Sequence, residues 1–202
     1  LLLGANGSGK TSVFDVLRRL QDFLIGDFRV HNVFPVSDLT LWQTGGRQRF
    51  EFEVSAGDDL YTYRLLLERE PDRRRMRVFE ERLDLNDKPL FHCKNGMAQL
   101  YRDDHAPGPE YPFDWSLSAV GALHERPDNQ KLTRFKHDLA KLIVVRPIPI
   151  LMERESRGEQ ERLSHRMENF VSWYRHLAQE YMGAMIALLS ELKVVLPGFE
   201  SL

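Results

Sequence analysis

The sequence predicts an α/β fold with an antiparallel β meander and a helical region. Three observations carry this: a glycine-rich segment between an apolar run and a helical pattern at the start, alternating runs broken by turn residues through the middle, and a three-four apolar rhythm toward the end. The 202 residues are 42% hydrophobic and 29% charged, enough for a substantial core and too apolar for a disordered chain. With 28 basic against 30 acidic side chains, composition alone does not announce a nucleic-acid partner. A lone cysteine, Cys93, excludes an internal disulfide. No run is long and apolar enough to span a bilayer, so a cytoplasmic protein with no membrane partner is expected.

The first element is Leu1-Leu2-Leu3, read as the end of a buried strand whose beginning lies upstream. Gly4-Ala5-Asn6-Gly7-Ser8-Gly9-Lys10-Thr11 then satisfies G-x-x-x-x-G-K-[ST] in full, between that strand end and a helix. Glycines let consecutive backbone N–H groups converge on phosphate oxygens, and the helix behind them adds its unpaired donors and positive dipole end. The pattern points to ATP and Mg²⁺. Asn6, Gly7, Ser8, Gly9, Lys10, Thr11 and Ser12 are the expected nucleotide contacts. Lys10 is the catalytic charge reaching the outer phosphates, and the Thr11 hydroxyl is the metal ligand.

The helix from about Lys10 to Leu24 carries Val13, Leu17, Leu20 and Leu24 on one stripe, widened by Phe14 and Phe23, and is expected to pack against the strand of Leu1 to Leu3. Strands follow at Leu39–Gln43, Arg49–Ser55, Leu60–Glu68, Met76–Leu85 and Leu90–Tyr101, the last containing a Lys94-Asn95-Gly96 turn, for a sheet of four to six strands. Between Trp115 and Leu142 short helices are broken at Gly121 and Pro127, and Leu132, Phe135, Leu139 and Leu142 mark one amphipathic helix. Ile143–Val145 reads as a short buried strand. From Glu159 onward, Leu163, Met167, Phe170, Tyr174, Leu177 and Tyr181 predict one long helix, or two broken near Gly183. The division is residues 1–150, the P-loop and antiparallel-sheet lobe, and residues 151–202, a helical segment.

Other polar groupings are weaker. Arg69, Arg73, Arg74, Arg75 and Arg77 gather at a hairpin tip that could meet DNA phosphates, but Glu68, Glu70, Glu80 and Glu81 dilute their charge. His92 and Cys93 are adjacent and so face opposite sides of a strand, which argues against a shared metal. Asp103, Asp104 and His105 form a polar loop before Pro107-Gly108-Pro109. No four-residue apolar run ends in an acid that could hold Mg²⁺ through water, and Leu142-Ile143-Val144-Val145 is followed by Arg146.

The form of the loop through Ser12, the Val145-Arg146-Pro147 segment, the stretch Glu168 to Arg175 and the ending Leu196-Pro197-Gly198-Phe199 together resemble the N-terminal half of a predicted AAA/ABC-type ATPase head of the RecF/SMC-related P-loop family. The resemblance implies a partial P-loop NTPase of ABC-ATPase type whose signature and acidic strand follow downstream. It implies a homodimer sandwiching ATP between heads, with hydrolysis opening it, and DNA and a downstream effector as partners. It also implies a glutamine approaching Mg²⁺; Gln43 and Gln48 are both in the relevant region, and their spacing selects neither. The leading expectation is Mg-dependent ATP hydrolysis driving conformational change in DNA repair or defence. The alternative is a nucleotide-sensing module that assembles without turnover. A small-molecule kinase also uses a P-loop but typically lacks a long meander directly after the first helix.

Overall fold

The computed structural model describes residues 9–39, 46–70, 75–195 and 198, in two compact units, residues 1–142 and 143–202. The first unit combines helices with a six-stranded antiparallel sheet in the order β1 to β6, the mixed α/β architecture expected. Its strands are β1 (Arg47–Ala56), β2 (Asp59–Arg69), β3 (Met76–Leu85), β4 (Lys88–Lys94), β5 (Met97–Tyr101) and β6 (Pro107–Pro112). Turn chemistry sets the tight hairpins. Asn86 and Asp87 both take positive φ (48° and 63°), as do Asn95 and Gly96 (50° and 76°), the backbone a two-residue hairpin demands. Strand β6 follows the polar loop of Asp103 to His105 and carries three prolines, Pro107, Pro109 and Pro112. It lies at the sheet edge, where a missing N–H costs no interior ladder bond.

The helices are α1 (Lys10–Ile25), α2 (Val30–Val33), α3 (Ala119–Ala122) and α4 (Gln130–Ala140) in the first unit, and α5 (Phe170–Glu180) and α6 (Met182–Val195) in the second. One face of the sheet is buried. Tyr61, Tyr63, Leu65 and Leu67 of β2 alternate inward and join Leu83, Phe91, Ala98 and Leu100 from the neighbouring strands. Phe135 of α4 docks on this face, its ring 5.6 Å from Tyr61, 6.1 Å from Tyr63 and 6.2 Å from Phe52. Phe34 bridges α1 and β1, 6.1 Å from Phe23 and 4.9 Å from Phe50. The opposite face carries a charged ladder in which Arg64 joins Glu51 and Asp84, at 2.9 Å each, and Arg82 shares Asp84 at 2.8 Å.

A β-bulge interrupts β3. Leu66 pairs with Glu80 and Leu67 with Val78, so Phe79 is the extra residue. Strict alternation from Met76 and Val78 would turn Glu80 inward. The added residue resets the phase, and Glu81 instead joins Leu83 and Leu85 in the core, fully buried.

Three expectations are corrected. Ile143–Val145 forms no strand; Ile143 is 63% exposed, and the segment is irregular, with Arg146 N–H donating to His165 O at 2.7 Å. Residues 159–169 are not helical despite the spacing of Leu163 and Met167. Met167 sits at φ 61°, and the Asn169 side chain accepts from Ser164 N–H at 2.8 Å and donates to Arg162 O at 2.9 Å, holding a non-helical loop. The two helices expected toward the end are found, separated at Tyr181, close to Gly183 where the break was expected. Gly121, expected as a break, lies inside α3. The strand expected at Leu39–Gln43 lies outside the described residues except for Leu39, which caps a 3₁₀ turn over Val36–Asp38.

Candidate functional site

The site is built where the glycine loop becomes a helix. Gly9 occupies the N-cap position of α1 with φ 83° and ψ 5°, the left-handed region that only glycine enters without strain. A Cβ there would meet nothing within 4 Å, so backbone conformation rather than crowding requires glycine. Lys10 starts the helix, and Val13 N–H makes an early helical bond to Gly9 O at 3.2 Å. Helix geometry leaves the N–H groups before it without an intrahelical acceptor. The first turn carries no acid to compete for them. Thr11 and Ser12 are exposed on that turn.

Donors, dipole and an exposed hydroxyl fit an anion accompanied by a hard cation, the chemistry of a nucleotide phosphate with Mg²⁺. Thr11 would hold the metal. Among the expected contacts, Asn6, Gly7 and Ser8 lie outside the described residues, as does the side chain of Lys10. Among the described residues no group of three or more His, Cys, Asp or Glu is placed to hold a metal ion.

The rear half of α1 anchors this helix end. Leu20, Phe23 and Leu24 are buried in the core of the unit, where α1 packs on α2, α3 and α4. Gln21 Nε2 donates to Leu139 O at 2.8 Å and to Leu142 O at 2.7 Å, satisfying carbonyls at the end of α4. The front of the stripe behaves differently: Val13 and Phe14 are about half exposed, and the strand they were expected to meet, Leu1 to Leu3, lies outside the described residues.

The remaining candidates resolve into structural roles. Arg75 is bound by Glu70 at 2.8 Å; Arg77 is bound by Glu68 and lies 5.1 Å over the Trp115 ring, while Arg73 and Arg74 lie outside the described residues. Glu81 does not dilute this patch, because it is buried. His92 bonds Glu80 at 2.8 Å on one face of β4, while Cys93 is buried on the other and burial pushes its thiol up to about 11. Asp103 accepts the N–H groups of Gln130 and Lys131 at 2.9 Å each and so caps α4. Gln43 lies outside the described residues; Gln48 sits inside β1.

What the sequence does not reveal is Glu81. Its carboxylate accepts from Tyr63 OH (2.9 Å), Ser118 OH (2.6 Å), Ala119 N–H (2.7 Å) and Val120 N–H (3.4 Å). Burial raises its pKa against the lowering effect of those donors, and burial and the neighbouring carboxylate push the Tyr63 phenol well up.

Residues 1–143 match the family described as "AAA domain, putative AbiEii toxin, Type IV TA system". The chain belongs to this AAA-domain family. Searches of curated proteins and of solved structures found no match. Membership makes the matched region a P-loop ATPase domain of AAA type, and the Gly9–Lys10 junction is where its loop enters the helix. No helix among the described residues of the AAA-family chain is long and apolar enough to cross a membrane.

Proposed function

We propose that this AAA-family protein binds ATP with Mg²⁺ at Asn6 to Ser12 and hydrolyses it in a head of ABC type, related to RecF and SMC heads, that pairs with a second copy. The carrying observation is the complete loop pattern running into α1 through a left-handed Gly9, with an acid-free first turn behind it. Backbone N–H groups cradle the phosphates, and Lys10 places its ammonium against the outer ones. Thr11 holds Mg²⁺, which spreads the phosphate charge during transfer to water. Turnover in this scheme moves one head relative to the other, coupled to DNA or to an effector. The toxin–antitoxin wording of the family description favours defence over repair as the setting.

The test is titration of the chain with ATP in Mg²⁺, with Lys10→Ala as paired control and both shown to be folded. Saturable binding lost in the variant is expected. Equal binding by both proteins would refute the assignment of Lys10. Binding and self-association without phosphate release by the complete protein would favour the nucleotide-sensing module that assembles without turnover.

A further inference from the structure

Helix α3 is a four-residue piece wedged between β3 and α1, and it is gripped from both ends. At its start, Glu81 receives the Ser118 hydroxyl and the Ala119 and Val120 N–H groups, while Tyr63 OH braces the same carboxylate from β2. At its far end, Lys136 of α4 donates to Gly121 O and Leu123 O, at 2.7 Å each. A carboxylate at the N–H end and an ammonium at the carbonyl end match the polarity of the peptide dipoles they meet.

The same short helix touches the back of α1 through Gly121. A Cβ added there would lie 2.6 Å from Leu24 O, a backbone atom that cannot swing aside. Gly121 is therefore a spacer of fixed, minimal thickness between Glu81 and the helix that carries Lys10. From Leu24 to Lys10, α1 is a rigid rod of roughly 21 Å at 1.5 Å per residue, so a tilt at its rear displaces its front. Every contact of the Glu81 carboxylate is a donor, as an acceptor-only group requires.

We propose that Glu81 is a positioning residue for the nucleotide site, acting through α3 and Gly121 on the seat of α1 and thereby on the direction in which the first helical turn presents its donors. The inference rests on the nucleotide-binding reading above. Loss of the carboxylate frees Ser118 to Val120, lets α3 shift, and loosens the rear of the rod. Displacements of about 1 Å at a positioned group are enough to cost on the order of 100-fold in function.

The test uses the full chain in four variants. Glu81→Leu removes the grip, and Gly121→Ala leaves the Glu81 side chain in place but presses on Leu24 O and, at 3.2 Å, on the Ser118 side chain. Glu81→Gln retains an acceptor for the two N–H groups and can donate to the two hydroxyls. Leu100→Ala removes core volume in β5 without touching the Glu81 contacts, and serves as a control for general destabilisation. ATP affinity and amide hydrogen exchange over Val13 to Leu17 are measured at a temperature where all are folded. Glu81→Leu and Gly121→Ala should each weaken ATP binding at least tenfold and speed exchange in that stretch; Glu81→Gln should remain within about threefold of the parent, and Leu100→Ala should leave both readouts near it. Should Glu81→Leu fail to fold, Ser118→Ala, which removes one of the donors to the Glu81 carboxylate, takes its place and should weaken ATP binding in the same direction. Parent-like affinity in Gly121→Ala, or equal weakening by Leu100→Ala, would overturn the proposal. Absence of ATP binding by the parent would instead remove the nucleotide reading, and the exchange data would still decide the link from Glu81 to α1: unchanged exchange breaks it, faster exchange sustains it.

Discussion

Replacing Phe135 by alanine tests the central packing of the first unit. The ring is fully buried and lies within 6.2 Å of the rings of Phe52, Tyr61 and Tyr63, so truncation removes a large side chain and three aromatic contacts together. Phe→Ala in a core costs about 3–5 kcal/mol, and ring pairs add about 0.5–1.5 kcal/mol beyond the area they bury. The value should therefore lie toward the upper end, about 4–5 kcal/mol, a large part of the roughly 5–15 kcal/mol that holds a typical domain together. Urea unfolding followed by tryptophan fluorescence, with Phe135→Leu as a volume-preserving partner, measures it. The leucine variant should recover more than half of the loss. A cost below about 1 kcal/mol for Phe135→Ala would refute the docking of α4 on the inner face of the sheet.

Two further outcomes follow from buried titratable groups. Burial raises the Glu81 pKa above the ordinary 4.5, so its contribution to stability is fully present below that value and is lost as pH rises through the folded-state value; unfolding curves of the parent and Glu81→Gln should diverge above about pH 4.5, with the parent losing ground, and parallel curves would refute this. Cys93 is 4% exposed with its thiol pushed up to about 11, so a thiol reagent at pH 8 should leave the native protein unlabelled and react after denaturation; rapid native labelling would contradict its burial.

The meander is legible in the sequence because two independent signals coincide there. Alternation in β2 names Tyr61, Tyr63, Leu65 and Leu67 as one face, and Asn86-Asp87 and Asn95-Gly96 supply turns with the backbone that hairpins need. The site is legible as far as the motif extends: the pattern names Gly9 as a loop glycine, and its φ of 83° is what such a loop requires. Where a single signal stood alone it misled. The spacing of Leu163 and Met167 fits a helix, but side-chain bonds from Asn169 hold the backbone otherwise. Three apolar residues at Ile143 read as a strand, yet strand identity needs a partner, and the chain here makes only isolated backbone bonds, Arg146 N–H donating to His165 O and Ile148 N–H to Arg166 O. Glu81 is invisible because nothing in a run of charged residues announces the bulge that turns one of them inward.

That bulge makes β3 a strand whose two halves are counted from different ends. Inward residues before Phe79 keep step with Met76, and those after it keep step with Leu85. Losing a codon at Phe79 would only remove the bulge and leave Glu81, Leu83 and Leu85 inward, whereas losing one at Arg82 would turn Asp84 inward and Leu83 and Leu85 outward unless the strand slid by one residue against both neighbours. Length variation in this strand is therefore expected to be tolerated at the bulge and purged beyond it, so the spacing from Glu81 to Leu85 is as much a part of the molecule's information as the identities of the residues themselves.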